Sequence, residues 1–188
     1  TDGRWRWVLF DLDLWAPPTE PSVMRMLGGE PLAAPFLPLL MRHPQLQPML
    51  LARVSTLLAT TFQPAVAGGA LDSLYQQHRQ ALEADHARWR NELNNPPPEA
   101  SWAHLSAHLA QRPAALLQQL STASGRRLEH LQLDVPSDQE GVVLLNGLAL
   151  PEGRQRIAWF SGVRATLELL PKPGYEVERP LDADAGQQ

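Results

Sequence analysis

Two carboxylates separated by one residue, Asp11 and Asp13, close the stretch Arg4-Trp5-Arg6-Trp7-Val8-Leu9-Phe10-Asp11-Leu12-Asp13. The run from Trp7 to Phe10 is apolar on both faces, which predicts a strand covered on two sides. Side chains alternate along a strand, so Trp5, Trp7, Leu9, Asp11 and Asp13 share one face and the two carboxylates leave it in the same direction. Two like charges one strand repeat apart, roughly 6.5 Å, repel by about 0.6 kcal/mol in water and about 2.5 kcal/mol at an effective dielectric near 20. At a buried strand end a proton, an Arg or Lys, or a divalent cation must answer that charge. Mg²⁺ takes one or two carboxylates and completes its shell with water and phosphate oxygens. The spacing equally allows both groups to be solvated, or Asp13 to open a turn or cap a helix.

Histidines are the other candidates. His78 and His86 lie two turns apart on one helical stripe, so a single ion reaches both only with a third element between them. His104 and His108 are one turn apart, which permits shared ligation, but no Glu intervenes and no acidic third ligand is near in sequence. Both pairs therefore read as packed or solvated histidines. The sequence has no G-x-S-x-G elbow, no HExxH, no P-loop and no dinucleotide glycine fingerprint, and no catalytic acid/base pair is nameable from spacing.

The elements that must position these residues are legible from periodicity and breakers. Ala16 to Pro38 reads as a long crossing loop with a helical turn or two, and Phe36 to Met41 begins the first packed helix. From Pro44 to Phe62 the positions Leu46, Leu50, Val54, Leu57 and Leu58 predict a buried helix, stopped by Gln63-Pro64, with Gly68-Gly69 introducing the next. Leu71, Leu74, Tyr75, His78, Leu82, His86, Trp89 and Leu93 form one stripe of a helix from about Ala70 to Leu93. Asn94 to Pro98 breaks it. In the following helix Trp102, Leu105 and Leu109 are expected to face inward, with a kink or restart at Pro113 and an end at Ser124-Gly125.

After Arg126 the period becomes alternating. Leu131, Leu133 and Val135 alternate, and Val142 to Leu145 meets Leu148 to Leu150 through Asn146-Gly147, a strong hairpin signal. Further strands are expected at Arg156 to Phe160, at Val163 to Leu170, and around Tyr175 to Val177. The fold class is α+β.

Composition narrows the function classes. The chain has 188 residues, 44% of them hydrophobic, enough for one good core or two small ones. Proline, 18 of 188 residues against a typical share of about 5%, clusters at the joints. A net charge of −4 with no Lys/Arg block disfavours nucleic-acid binding. There is no cysteine, hence no disulfide and no thiolate metal site. No apolar run reaches the length of a membrane span.

The stretch Gly3 to Asp13 resembles the metal-site strand of the CotH-type spore-coat kinases, atypical protein kinases with a distant protein-kinase-like fold. His43-Pro44 leading into Leu57-Leu58-Ala59-Thr60-Thr61-Phe62, then Ala87-Arg88-Trp89, then Arg112-Pro113, follow the order of features in that family's helical C-terminal half. The resemblance implies a C-lobe-like fragment over residues 1–125, followed by a small β module over 126–180; the acidic residues 181–188 read as a flexible tail. It implies that Asp11 binds Mg²⁺ with Asp13 as its neighbour or partner, and that Mg²⁺ and ATP are the cofactors. It further implies a protein substrate or an envelope protein as partner, and an extracytoplasmic or cell-surface setting.

A kinase also needs an N-lobe lysine and a catalytic-loop Asp and Asn ahead of the metal strand. None of these lies in the chain, so the missing N-terminal half of the same protein is the expected complement and no phosphate transfer is expected from the chain alone. Small residues usually follow the second aspartate in the family, whereas Leu14-Trp15-Ala16-Pro17-Pro18 follows here. That departure motivates the alternative, a non-catalytic envelope or surface scaffold whose β module mediates adhesion or assembly.

Overall fold

A computed structural model describes residues 17–28 and 36–178; the strand expected at Arg4 to Asp13 and the tail from Leu181 lie outside the described residues. Five helices come first: α1 (Ser22–Leu27), α2 (Leu37–Arg42), α3 (Leu46–Ala59), α4 (Pro64–Leu93) and α5 (Pro98–Ser124). Five strands follow: β1 (Leu128–Val135), β2 (Gly141–Leu145), β3 (Leu148–Ala149), β4 (Gly153–Phe160) and β5 (Leu167–Pro171). The order confirms the α+β class.

Local chemistry explains the boundaries. His43 Nδ1 accepts the backbone N–H groups of Gln45 and Leu46 at 3.2 and 3.3 Å, satisfying donors that the start of α3 leaves without an intrahelical partner. Pro64 and Pro98 sit in the first turns of α4 and α5, where a missing N–H costs nothing. Asn94 and Gly125 end those helices in the left-handed region, at φ 50° and 69°.

Several expectations need correcting. Gly68 and Gly69 do not introduce a helix; α4 begins at Pro64 and runs through them, because glycine costs only about 1 kcal/mol within a long helix. Helix α5 does not restart at Pro113 but runs on through it. Tyr175 to Val177 is not a strand, and β5 starts only at Leu167, while Val163 is buried in the turn that precedes it. The fully buried positions of α3 are Leu51, Ser55, Thr56 and Ala59; of the predicted positions Leu50, Val54 and Leu58 pack partly buried against the core, whereas Leu46 is exposed. Small Ser55 and Ala59 permit a close approach, and Thr56 takes polar partners on both sides: its Oγ1 donates to the Ala52 carbonyl at 2.7 Å and accepts from Asn146 Nδ2 at 2.9 Å.

β1 pairs antiparallel with β4, from Leu128 opposite Phe160 to Val135 opposite Gly153. β2 lies between β3 and β5 in the second sheet. The hairpin at Asn146-Gly147 is observed, with φ 48° and 81°, the pair of positive values that a type I′ turn needs. Asn146 also ties β5 in place, since its Oδ1 accepts the Thr166 N–H at 2.9 Å.

The strands pack on the helices rather than apart from them. α3 lies against β4, and Leu51, Ala59, Leu117 and Leu120 join Ile157, Trp159 and Phe160 in one buried cluster. Gln63 Nε2 donates to Gln155 Oε1 at 2.9 Å, and Arg126 joins the Ser161 carbonyl at 2.9 Å to Gln47 Oε1 at 3.1 Å.

Candidate functional site

The two carboxylates, Asp11 and Asp13, lie outside the described residues, and so does Trp15. What is described is the chain immediately after them and what holds it. Pro17 to Glu20 makes a turn closed by the Glu20 N–H on the Pro17 carbonyl at 2.9 Å, and α1 follows. The turn and the start of α1 are held by α5.

Arg112 and Gln119 are seven residues apart, two turns of α5, and therefore share a face. The Arg112 guanidinium donates to the Pro18 carbonyl at 2.9 Å, to the Glu20 carbonyl at 2.8 Å and to the Ser22 hydroxyl. Gln119 makes a second pair: its Nε2 donates to the Glu20 carbonyl at 2.8 Å and its Oε1 accepts the Val23 N–H at 3.1 Å. Val23, 2% exposed, is buried in the core beside this network. A planar fork with five donors suits such divergent acceptors, and a lysine ammonium would not span them. The sequence singled out Arg112-Pro113 only as a motif; its partners lie 90 to 94 residues away in the chain, and no local signal names them.

The predicted stripe of α4 does face α5, but it is not buried: no residue of α4 is, and Leu74, Leu82 and Leu93 are exposed. Between the two helices runs an open trough of about 620 Å³, lined in part by Tyr75, His78, Leu82, His86, Trp89 and Trp102. Tyr75 stacks on Trp102 with ring centroids 5.5 Å apart, and Trp102 Nε1 donates to Asp72 Oδ1 at 2.9 Å. Leu105, expected to face inward, lines this trough and stays partly exposed. His86 Nδ1 is buried with no hydrogen-bond partner among the described residues. Among the described residues no group of three or more His, Cys, Asp or Glu side chains could hold a metal ion, which leaves His78 with His86 and His104 with His108 as side-chain pairs only.

On α5, burial holds the His108 imidazole below its ordinary value near 6.5, and the charge of Arg112 and the neighbouring His104 act in the same direction. A group that resists protonation when folded makes the fold lose stability as pH falls through the unfolded value near 6.5, with the loss complete below the folded value. His108→Gln is therefore expected to lose less stability than the parent between pH 7.5 and pH 5.5. Urea midpoints at the two pH values check this, and equal losses in both proteins would clear His108 of any part.

It is the comparison with known families that gives the class, that of a kinase-related protein. A family model described as CotH kinase protein matches residues 1–116. The chain belongs to the CotH family. The matched region takes in Asp11, Asp13, the His43 cap of α3, the α4 arm and Arg112. No curated protein and no solved structure matches the chain. No helix among the described residues is long and apolar enough to cross a membrane.

Proposed function

We propose that the chain is the metal-strand and helical part of a CotH-type atypical protein kinase, in which Asp11 and Asp13 hold Mg²⁺ and present ATP for transfer to a protein hydroxyl. The observation that supports it most is the family match, whose region contains both carboxylates as well as the arginine that anchors the chain behind them. Two carboxylates are hard oxygen donors, the donor set Mg²⁺ accepts together with phosphate oxygens and water. Bound there, the ion would neutralise charge on the transferred phosphoryl group.

The contribution of this chain's own residues is placement. Arg112 on α5 holds the Pro18 and Glu20 carbonyls, in the described segment that follows the two carboxylates in sequence. The lysine for the α/β-phosphates and the catalytic-loop Asp and Asn would come from sequence ahead of Thr1, and the activity belongs to that longer protein.

The test uses the protein extended by its natural upstream sequence. Calorimetric titration with ATP in the presence of Mg²⁺ is expected to show saturable binding that Asp11→Ala weakens at least tenfold, together with transfer of labelled γ-phosphate to protein. Absence of binding, or binding and transfer indifferent to both Asp11→Ala and Asp13→Ala, overturns the proposal. A folded protein that binds no nucleotide would favour the scaffold reading motivated by Trp15-Ala16-Pro17-Pro18.

A further inference from the structure

The ladder between β2 and β5 fixes which backbone groups of β5 stay unused. The Lys172 N–H donates to the Glu140 carbonyl at 3.0 Å and the Asn146 N–H to the Thr166 carbonyl at 2.8 Å, with Val142 opposite Leu170 and Leu144 opposite Glu168 between them. Backbone groups alternate in direction along an antiparallel strand, so Glu168 and Leu170 turn theirs to β2 while Leu167 and Leu169 turn theirs away. β5 ends its sheet, and no hydrogen bond among the described residues reaches those outward groups. Pro171 fits the same reading, since its nitrogen, which carries no hydrogen, faces the free edge.

The chain then turns back without rejoining the sheet. Pro173 and Gly174 are central in a turn closed by the Tyr175 N–H on the Lys172 carbonyl at 3.0 Å, with Gly174 at φ 93°. Proline followed by a positive-φ glycine is the type II pattern, which splays flanking strands that a type I′ turn would pair. Tyr175-Glu176-Val177-Glu178 alternates as a strand does, yet no hydrogen bond among the described residues runs from 176–178 to β5. A slot of about 330 Å³ remains, lined by Val142 and Leu170 of the sheet and by Tyr175 and Val177 of the returning segment. Leu170, Tyr175 and Val177 are 44%, 52% and 43% exposed.

Charge decides what enters. Glu140, Glu176 and Glu178 also line the slot, and no Lys or Arg does. Three carboxylates repel nucleic acid, a second copy presenting the same face, and residues 181–188, whose charges are Asp182 and Asp184. They attract a cationic partner. Among the described residues no side-chain group could hold a metal ion, and an extended chain is what complements the alternating donors and acceptors of a strand edge. We infer that β5 takes up an extended basic peptide of a partner protein by strand addition, its apolar side chain entering the slot and its lysine or arginine meeting the carboxylates. The inference uses neither Asp11 nor Asp13, and its test needs no nucleotide, so it stands or falls apart from the proposed function.

A dye-labelled peptide of alternating lysine and valine, titrated with the whole chain and followed by fluorescence anisotropy, is expected to bind saturably, and one of alternating glutamate and valine is not. Glu176→Gln combined with Glu178→Gln, both exposed positions, is expected to weaken binding about tenfold with an unchanged far-ultraviolet circular dichroism spectrum. Amide exchange reads strand addition apart from charge. The Leu167 and Leu169 amides should exchange readily in the free chain and become protected by the bound peptide, whereas Glu168 and Leu170, already paired with β2, should change little.

Absence of binding overturns the inference, as does equal binding of the two peptides or binding indifferent to the double substitution. Binding that leaves Leu167 and Leu169 unprotected reduces the contact to charge alone and overturns strand addition. Protection of both amides in the free chain would mean that the edge is already covered, which overturns it as well.

Discussion

Arg112→Ala is expected to cost about 3 kcal/mol of stability and to free the segment from Pro17 to Val23. Three charge-assisted hydrogen bonds go at once, and bonds from a charged donor contribute about 1.5–3 kcal/mol each before solvent replaces them. Gln119 still reaches the Glu20 carbonyl and the Val23 N–H, so the segment loosens rather than leaves altogether. Arg112→Lys is expected to recover less than half of the loss, since one ammonium cannot serve three acceptors set apart by a fork. Urea denaturation measures the loss, and hydrogen exchange at the amides of Ser22 and Val23 measures the release. A loss under about 0.5 kcal/mol with unchanged exchange would show that α5 does not hold this segment. On the proposed function, Mg²⁺-ATP affinity of the extended protein should fall together with the exchange protection.

Phe160→Ala is expected to cost more, about 3–5 kcal/mol, and to unfold helices and strands together. The side chain is 1% exposed, sits at the end of β4 opposite Leu128, and belongs to the cluster that includes Leu51 and Leu120 from the helices. Truncation leaves a cavity bordered by both layers, and partial collapse cannot refill a void the size of a phenyl ring. Since α3 lies on β4, the layers share that loss. Amide signals from α3 and from β2 should vanish at the same denaturant concentration, shifted equally by the substitution. A shift confined to the strands would mean that the sheets and the helices unfold as separate units.

The elements best read from sequence were those whose signals are local. Asn146-Gly147 required positive φ at successive positions, and Pro98 and Gly125 bound α5 by backbone geometry alone. Gly68-Gly69 misled because a helix of thirty residues, with Pro64 at its start, tolerates two glycines that would end a short one. The inward face of α3 is read only in part from periodicity: Leu50, Val54 and Leu58 do pack against the core, but the most buried positions are others. Helical periodicity ranks leucine above serine and threonine, yet Ser55 and Thr56 are buried where a bulkier side chain would hold α3 off the sheet, and Asn146 supplies Thr56 with a partner ninety residues distant. Arg112 was visible as a family motif, whereas its work on Pro18, Glu20 and Ser22 is a property of tertiary structure. Asp11 and Asp13 remain known by sequence and by family alone.

The span between Pro18 and Arg112, 94 residues, also sets an order of events at the ribosome. At about 5–20 residues per second, the anchor emerges some 5–20 seconds after the segment it secures. Until then the turn from Pro17 to Glu20 has no helix to hold it, so this part of the fold is finished late in synthesis, after α3 and α4 have already been made. Slowing translation between α4 and α5 would lengthen that unanchored interval without altering a single amino acid.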